Sequence, residues 1–336
     1  MKILSVIIPA YNMERYLPRC LASLAVEPML MEKLEVIVVN DGSMDRTSSV
    51  AHEFAARFPA SVHVLDKPNG HYGSCINAGL ARVRGTFVRV LDADDFFDGS
   101  GFRRFLRLLE KETANPPDFI LTEFCRQHGE GAVPTAGPRL PFANGQRLTV
   151  ADIKAEEMAY GLVSLTYRTG LLRECGYRQT EGIAYTDVEW CTIPMSAARR
   201  GAYLDCTVYC YFLGREGQSV GEAARVAGWG AQVKVLERLL ATHDGFANAS
   251  PEGLAFLEDQ AARLLEGICK LTALQVPFGE TCRKTSDLRQ LVAGRAWLWQ
   301  RVSRLRYASF VLGTTGGLRF RLLALRCYAR ARGLFR

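Results

Sequence analysis

Residues 85–95 read GTFVRVLDADD, a mostly apolar run that ends in three carboxylates, Asp92, Asp94 and Asp95. A short apolar run bounded by polar residues is typical of a strand that is buried on both faces of a parallel sheet. The three aspartates are therefore predicted to follow the carboxyl end of a strand. In open α/β sheets, the ligand crevice lies at that end of the strands.

The chain around this stretch alternates strand and helix. Polar clusters also follow the first two predicted strands, at Pro9–Asn12 and Asn40–Ser43, and we expect Asn12 to cap the first helix. Short connections predict a doubly wound, mostly parallel sheet with flanking helices, so the polar clusters should meet at one edge. The predicted strands are Lys2–Ile8, Leu34–Val39, Val62–Leu65, Thr86–Leu91 and Asp118–Thr122.

The second half of the chain follows a different pattern. Gly129–Gly145 is rich in glycine and proline and predicts a loop or hairpin, and Ala202–Leu213 is strand-like. Further on, the periodicity is helical. We predict an α/β domain at 1–220, a helical region at 221–336 and a boundary near Gly221. The expected helical seam consists of Leu254, Leu257, Ala261, Leu264, Ile268 and Leu271.

Composition limits the class of protein. The chain has 336 residues, of which 48% are hydrophobic, enough to bury a sizeable core and to exclude a disordered or collagen-like protein. No uninterrupted apolar stretch reaches the roughly 18 residues of a membrane span, and the apolar start is too short for a signal peptide. The ten cysteines include no CxxC pair, which favours reduced cytoplasmic thiols over disulfides or a zinc site.

Positive charge is concentrated at the end of the chain. Residues 283–336 contain 13 lysines and arginines but one acid, Asp287, interleaved with aromatic residues. This composition is typical of an interfacial helix, so we expect an anionic membrane surface as a partner. The alternative is a solvated helical face that packs on the helical region. Nucleic acid is not an expected partner, since no binding motif accompanies the charge.

The acidic motifs have two interpretations each. Asp92 and Asp94 can hold a divalent cation, Mg²⁺ or Mn²⁺, that bridges to a diphosphate, or they can form a solvated turn. Asp41, in the sequence NDGS, can accept a hydrogen bond from a nucleobase beside Tyr11, or it can belong to an Asx turn. The chain has neither GxxxxGK[ST] nor a GxGxxG after its first strand, which argues against P-loop and dinucleotide sites.

Four motifs occur in order along the chain: VIIPAYN, VIVVNDGSMDRT, NGHYGSCINAGL and GTFVRVLDADD. Together they resemble the family 2 glycosyltransferases over residues 3–220. The resemblance implies the GT-A fold, a nucleotide-diphosphate sugar as donor, usually a UDP sugar, and Mg²⁺ or Mn²⁺ as cofactor. It also implies transfer with inversion at the anomeric carbon.

The resemblance assigns the donor-site residues. It places Pro9, Tyr11 and Glu14 in the segment that holds the nucleoside. It implies that Asp41 reads the uracil and that Asn77 lies beside the pyrophosphate. The residues of the implied DxD pair, which binds the ribose side and the metal, are Asp92 and Asp94.

The family's general base is normally an aspartate that follows a glutamate at the start of a helix. Asp187 matches that base, and Thr186 stands where the glutamate is usual. The alternative is that Asp187 only caps its helix. The segment YFLGREGQSV resembles one in many bacterial members, where Arg215 and Gln218 would reach the diphosphate or the acceptor; otherwise they form an ordinary polar loop.

The resemblance therefore implies an inverting glycosyltransferase that acts on a hydroxyl of a glycan or lipid-linked glycan. Members that extend lipid-linked glycans work at the membrane, so we expect a cytoplasmic protein, peripheral on the inner membrane's cytoplasmic face. A sugar-nucleotide pyrophosphorylase is one alternative, but PAYNMERY (residues 9–16) lacks the Gly-rich loop expected there. The other alternative, a non-catalytic assembly subunit, would not need Asp41, Asp92, Asp94 and Asp187 together.

Overall fold

The computed structural model shows the chain as two compact units. They comprise Met1–Gly217 and Gln218–Arg336. The boundary predicted near Gly221 and the predicted site residue Gln218 lie outside the described residues. None of the helices within the described ranges combines the length and hydropathy needed to cross a bilayer. The described residues are 1–153, 161–215, 222–246, 250–313 and 326.

The first unit is built on one ten-stranded sheet. Its strands are β1 Leu4–Ala10, β2 Leu34–Asn40, β3 Val62–Asp66, β4 Phe87–Val90, β5 Phe96–Phe97, β6 Phe119–His128, β7 Thr135–Ala136, β8 Arg147–Leu148, β9 Leu165–Arg168 and β10 Gly201–Leu213. Its α-helices are α1 Leu17–Ser23, α2 Pro28–Met31, α3 Thr47–Arg57, α4 His71–Leu80, α5 Gly99–Glu112, α6 Gly161–Ser164, α7 Thr169–Glu174 and α8 Asp187–Ala197.

The central strands run in the order β3-β2-β1-β4-β9-β6-β10-β5. The pairs β1–β2, β2–β3 and β1–β4 are parallel, as the sequence predicted, and β6 pairs in parallel with β10. Strand β9 lies between β4 and β6 and is antiparallel to both, so β4 and β6 point the same way. The predicted mostly parallel α/β sheet with flanking helices is therefore confirmed.

Helices cover both faces of β1, which explains why this strand is a continuous apolar run. Val6 and Ile8 face a core that includes residues of α1, α3 and α5. Ile7 points to the opposite face, where α4 packs. A Cβ added to Gly79 of α4 would lie 2.6 Å from the Cγ2 of Ile7, so the missing side chain lets this helix approach the sheet closely.

One predicted helix cap is wrong. Helix α1 begins at Leu17, with Tyr16 in the N-cap position and no side-chain cap bond. Asn12 instead has a left-handed φ of 52°, and its Oδ1 accepts a hydrogen bond from the backbone N–H of Met44 at 2.9 Å. Asn12 therefore joins two loops instead of starting the helix. Asparagine is one of the residues that adopt the left-handed region most readily.

The Gly- and Pro-rich segment forms the predicted hairpin, since β7 pairs antiparallel with the end of β6. In the second unit, four residues of the predicted seam are buried, namely Leu257, Ala261, Ile268 and Leu271, whereas Leu254 and Leu264 are half-buried. The α-helices of this unit are α9 Glu222–Ala227, α10 Trp229–Asp244, α11 Pro251–Leu274, α12 Phe278–Val292, α13 Ala296–Val302 and α14 Arg306–Gly313.

Some basic residues of the C-terminal region form ion pairs with acids of the same unit. Arg301 pairs with Glu258 at 2.6 Å and also with Asp259, and Arg295 pairs with Asp244 at 2.8 Å. These pairs fit the packed helical face that was the alternative to a lipid-binding one. The residues 314–325 and 327–336 lie outside the described residues.

Candidate active site

The loops after β1 and β2 are joined at the carboxyl edge of the sheet. The backbone N–H of Asn12 donates to Ser43 Oγ at 3.0 Å, and Glu14 Oε2 accepts from the backbone N–H of Arg46 at 2.8 Å. Tyr11 projects from the same loop with 45% of its surface exposed. These bonds confirm that the first two polar clusters meet, and they leave an aromatic ring free for stacking.

Asp41 forms the floor of this part of the crevice and is 3% exposed. Its Oδ1 accepts from Lys67 Nζ at 2.5 Å and from the backbone N–H of Gly70 at 3.0 Å. Lys67 also donates to Ser74 Oγ at 2.9 Å. Burial and the nearby charge of Asp41 raise the pKa of the Cys75 thiol to about 12. Asp41 is thus a fixed carboxylate that has its own counterion.

The aspartates after β4 are held differently. Asp92 Oδ1 accepts from Tyr72 Oη at 2.8 Å. Asp95 is 1% exposed and accepts from Tyr209 Oη at 2.5 Å and from the backbone N–H of Phe212 at 2.7 Å. Each of these two carboxylates is bonded by hydroxyl or amide groups, which fix its position but bring no positive charge.

The pKa of both carboxyls is raised, because burial acts on them and, within the described ranges, no positive charge is bonded to either of them. Burial raises the pKa of Asp92, and the negative charges of Asp94 and Asp187 raise it further, against the opposing effects of Tyr72 and Arg215. Burial and repulsion by Asp94 and Asp92 likewise raise the pKa of Asp95. Asp92 and Asp95 are thus partly or fully buried acids for which the described residues supply no ion-pair partner.

Asp94 is contacted by two arginines. Arg215 Nε donates to Asp94 Oδ2 at 2.8 Å, and Arg19 Nη2 donates to the backbone carbonyl of Asp94 at 3.0 Å. The Arg19 guanidinium lies over the rings of Phe96 and Phe212, at 4.4 and 4.3 Å from their centroids. Arg215 thus lies at the acidic cluster, as expected of a residue near the diphosphate, and its described ion pair is with Asp94.

Asp187 is the first residue of α8, and Thr186 occupies the N-cap position without a side-chain cap bond. Asp187 therefore lies in the first turn of the helix and not at its N-cap position. Its side chain is open to the crevice, yet the protein packed around it displaces enough water to raise its pKa, against the effect of the first backbone N–H groups of the helix. Tyr185, two residues earlier, has a left-handed φ of 64°. Such backbone strain in a side-chain-bearing residue concentrates at functional sites.

Asn77 uses both atoms of its amide to hold a loop. Its Nδ2 donates to the backbone carbonyl of Gln179 and to Glu181 Oε1, both at 2.8 Å, and its Oδ1 accepts from the backbone N–H of Gln179 at 2.9 Å. The proximity of Asn77 to a pyrophosphate stays a prediction. Pro9 is buried within β1.

Several residues that shape the site did not emerge from the sequence as functional. Lys67 directly follows β3, just as Asp41 directly follows β2. A polar residue at the end of a predicted strand was therefore the signal that could have identified Lys67. Tyr72 lies within the quoted motif NGHYGSCINAGL. Tyr209 and Gln179 carry no sequence signal, because their roles depend on pairing between distant parts of the chain.

The residues that could hold a cation are Asp92 and Asp94. Carboxylate oxygens are the donors that Mg²⁺ and Mn²⁺ prefer, and the unneutralised charge of the cluster favours a cation. Within the described ranges, no three or more His, Cys, Asp or Glu side chains are arranged to hold a metal ion. The residues therefore fit a cation that a diphosphate helps to bind, which is the usual manner of Mg²⁺ at phosphates.

Known proteins resemble this chain in sequence. The family model of glycosyl transferase family 2 matches residues 5–121. The MG025 homolog of Mycoplasma pneumoniae, an uncharacterized glycosyltransferase, is 36% identical over 102 residues, which are 30% of this chain and 34% of that protein. The poly(ribitol-phosphate) beta-N-acetylglucosaminyltransferase TarS of Staphylococcus aureus is 26% identical over 226 residues, 65% of this chain and 37% of TarS. The chain thus spans about a third of the length of these relatives.

The fold also resembles a solved one. The crystal structure of S. aureus TarS 1–349 in complex with UDP-GlcNAc has a TM-score of 0.72 to this chain at 21% identity, covering 99% of this chain and 92% of that one. The glycosyl transferase family 2 model thus matches residues 5–121 of this chain, and the structural match shows that the chain has the GT-A fold.

Proposed function

We propose that this protein is an inverting glycosyltransferase that moves a sugar from a UDP sugar to a hydroxyl of a glycan or lipid-linked glycan. One observation carries the proposal. Helix α4 bonds Asp92 through Tyr72 and holds, through Asn77, the loop that leads to Asp187, so the base candidate and the DxD pair would face the same crevice. A donor held by the DxD pair would therefore present its anomeric carbon within reach of Asp187.

The nucleoside would bind at the end of the crevice formed by Tyr11 and Asp41. Lys67 and Gly70 already engage Oδ1 of Asp41, so the other carboxylate oxygen would accept the N–H of uracil. The exposed ring of Tyr11 supplies a stacking surface. TarS, the relative of similar fold, is solved with UDP-GlcNAc, which makes this sugar nucleotide the first donor to test.

Asp92 and Asp94 would hold Mg²⁺ or Mn²⁺ together with the diphosphate. When bound, the cation neutralises negative charge on the departing UDP as a Lewis acid. The chain's own part is electrostatic: Arg215, now paired with Asp94 at 2.8 Å, lies where it can turn to the diphosphate oxygens. Metal dependence is tested by thermal unfolding with Mn²⁺: wild type should be stabilised, and the Asp94→Asn variant should not be.

The chemistry is a single displacement. The acceptor oxygen attacks the anomeric carbon, the bond from that carbon to the UDP oxygen breaks, and Asp187 takes the proton of the acceptor hydroxyl. The raised pKa of Asp187 suits this role, because a general base works best when its pKa is near the working pH. Because the acceptor attacks directly, no protein nucleophile is needed.

The basic end of the chain would attach the protein to anionic membrane. Arg289, Arg295, Arg301 and Arg326 bind groups of the helical unit itself. The attraction would therefore come from the other basic residues, including the remaining five arginines of residues 314–336, a stretch that contains no acid. Each basic residue near an anionic surface contributes about 1 kcal/mol, and salt screens the attraction. The full chain should therefore sediment with anionic liposomes at low salt and be released at high salt. A chain that stays in the supernatant at low salt contradicts this part of the proposal.

A donor screen tests the main proposal. UDP, GDP and dTDP sugars are incubated with the full chain and Mn²⁺, and release of the nucleotide is measured. We expect slow hydrolysis of a UDP sugar and none of the others. Hydrolysis of a GDP or dTDP sugar instead would contradict the donor assignment, and release of a sugar 1-phosphate would indicate a pyrophosphorylase.

A further inference from the structure

The segment from Tyr177 to Thr186, called the strap here, connects the donor side of the crevice to Asp187. Gln179, near the start of this segment, is 1% exposed. Gln179 Nε2 donates to the backbone carbonyl of Thr186 at 2.8 Å and to Thr186 Oγ1 at 2.9 Å, and Gln179 Oε1 accepts from Tyr177 Oη at 3.1 Å. One buried amide therefore fixes the residue that directly precedes Asp187.

The strap is in turn fixed to α4. Asn77 of this helix bonds both backbone groups of Gln179. The backbone N–H of Gly182 donates to the carbonyl of Gly70 at 3.0 Å. A Cβ added to Gly73 would lie 1.9 Å from the carbonyl oxygen of Thr180, so only glycine permits this approach. Helix α4 also carries Tyr72, which donates to Asp92. The strap and α4 therefore form a continuous chain of contacts from Asp187 to the DxD pair.

The other end of the strap is joined to α8. Glu189 Oε2 accepts from the backbone N–H of Thr180 at 2.8 Å, and Glu189 is fully buried. Tyr185, which has a left-handed φ, lies between two residues fixed by these bonds, Thr180 before it and Thr186 after it. A strained residue persists only where its surroundings determine its conformation, and these bonds supply that constraint.

We propose that Gln179 and Asn77 are positioning residues, which hold Thr186 so that the carboxylate of Asp187 is aimed at the acceptor hydroxyl. Gln179 acts on Asp187 directly through Thr186, and Asn77 acts by fixing Gln179 to α4. This chain has Thr186 at the position before the base where glutamate is usual, and the bond from Gln179 to Thr186 would orient the base here. This inference rests on the proposed role of Asp187.

The test uses variants of the full chain that remove these bonds. Gln179→Leu and Thr186→Val should each lower kcat for donor hydrolysis about 10-fold or more, because misplacing a catalytic group by about 1 Å is that costly. UDP affinity should stay within about 2-fold, since the substituted groups lie outside the nucleoside pocket. Thr186→Ser, which keeps the hydroxyl, should restore kcat. Ser196→Ala is the matched control, since within the described ranges this buried hydroxyl of α8 donates to the carbonyl of Ile193 in its own helix and to no other group.

A double-mutant cycle distinguishes positioning from a general loss of structure. If Gln179 acts through Asp187, then Gln179→Leu should cost nothing further in the Asp187→Asn background. Amide hydrogen exchange at residues 186–190 supplies a readout that needs no turnover: Gln179→Leu and Thr186→Val should speed it, and Thr186→Ser should not.

Three outcomes overturn the inference. Wild-type kcat and exchange in Gln179→Leu would show that Thr186 needs no support, and if that variant does not fold, Thr186→Val decides. An equal loss of kcat with and without the Asp187 carboxylate would make the role purely structural. Near-normal turnover of Asp187→Asn would remove the base itself and with it the proposed mechanism, whereas a slow Asp187→Asn with a normal Gln179→Leu removes only the positioning role.

Discussion

The two edges of the central sheet treat buried carboxylates in opposite ways. At the amino edge, Glu35 pairs with Arg84 at 2.6 Å, and Asp118 pairs with Arg168 at 2.8 Å. Burial alone would raise the pKa of both carboxyls, but hydrogen bonds and these cations lower it below the usual values. At the amino edge, each of these two buried carboxylates thus has an arginine of the same protein as its counterion.

At the carboxyl edge, burial and mutual repulsion raise the pKa of Asp92 and of Asp95. Both edges belong to the same sheet, so the difference does not come from the fold. A protein that needed only stability would match its charges at both edges. Buried acids without a counterion are costly, and their concentration at one edge therefore supports the proposal that the functional site lies there.

The largest expected effect comes from removing the exposed carboxylate of Asp187. Asp187→Asn keeps the shape of the side chain but removes the base, so kcat should fall about 10²-fold or more with UDP affinity intact. Steady-state hydrolysis and calorimetry with UDP measure the two quantities. Ser196→Ala in the same helix is the control. Near-normal turnover would mean that the base lies elsewhere.

A smaller effect is expected at the amino edge. Asp118→Asn removes the charge that binds Arg168 and the backbone N–H groups of Arg199 and Arg200. The free energy of unfolding should drop by about 2–3 kcal/mol, the usual cost of losing hydrogen bonds to a buried charge. Urea unfolding at neutral pH measures it. No change in stability would show that this edge is not held by its ion pairs.

The same residue predicts a pH dependence. Because the pKa of Asp118 is lowered in the folded state, its contribution is complete above about pH 4, the usual pKa of aspartate, and is lost as the pH falls through the lowered value. The difference in stability between wild type and Asp118→Asn should therefore shrink on acidification below about pH 4. A difference that stays constant down to about pH 2 would contradict the lowered pKa.

The smallest effect should have the opposite sign. The raised pKa of Asp92 means that its ionised form costs stability, so this cost grows as the pH rises through the folded-state value. Asp92→Asn keeps the acceptor for Tyr72 and should leave stability at neutral pH unchanged or raise it by up to about 1 kcal/mol. Thermal unfolding without metal measures this. A loss as large as that of Asp118→Asn would erase the distinction between the two edges.

The sequence predicted the parts of the fold that depend on local pattern. Strands β1 to β4 and the polar clusters after β1, β2 and β4 follow from apolar runs that end in polar residues. Strand β9 was missed because it has only four residues, lies directly between two short helices, and is specified by its pairing with β4 and β6. Its antiparallel insertion could not be read from the alternation of strand and helix.

The site was predictable to the same extent. Asp41, Asp92, Asp94 and Asp187 stand in motifs of fixed order, and the structure places Asp41 directly after β2, Asp92 and Asp94 after β4, and Asp187 at the start of α8. Gln179 was not predictable, because a glutamine seven residues before Thr186 has no local signal and acts through bonds that only the folded loop creates.

The central claim is that the carboxyl edge binds UDP through Asp41 and, with a divalent cation, through the DxD pair. Calorimetric titration of UDP into the full chain tests it most directly, with Mn²⁺ and then with EDTA, for wild type and for Asp41→Ala. We predict that wild type binds UDP with Mn²⁺, and that either chelation or Asp41→Ala weakens the affinity about 10-fold or more, the effect of losing roughly 1.4 kcal/mol. Unchanged affinity after both treatments would contradict the assignment of this edge as the donor site.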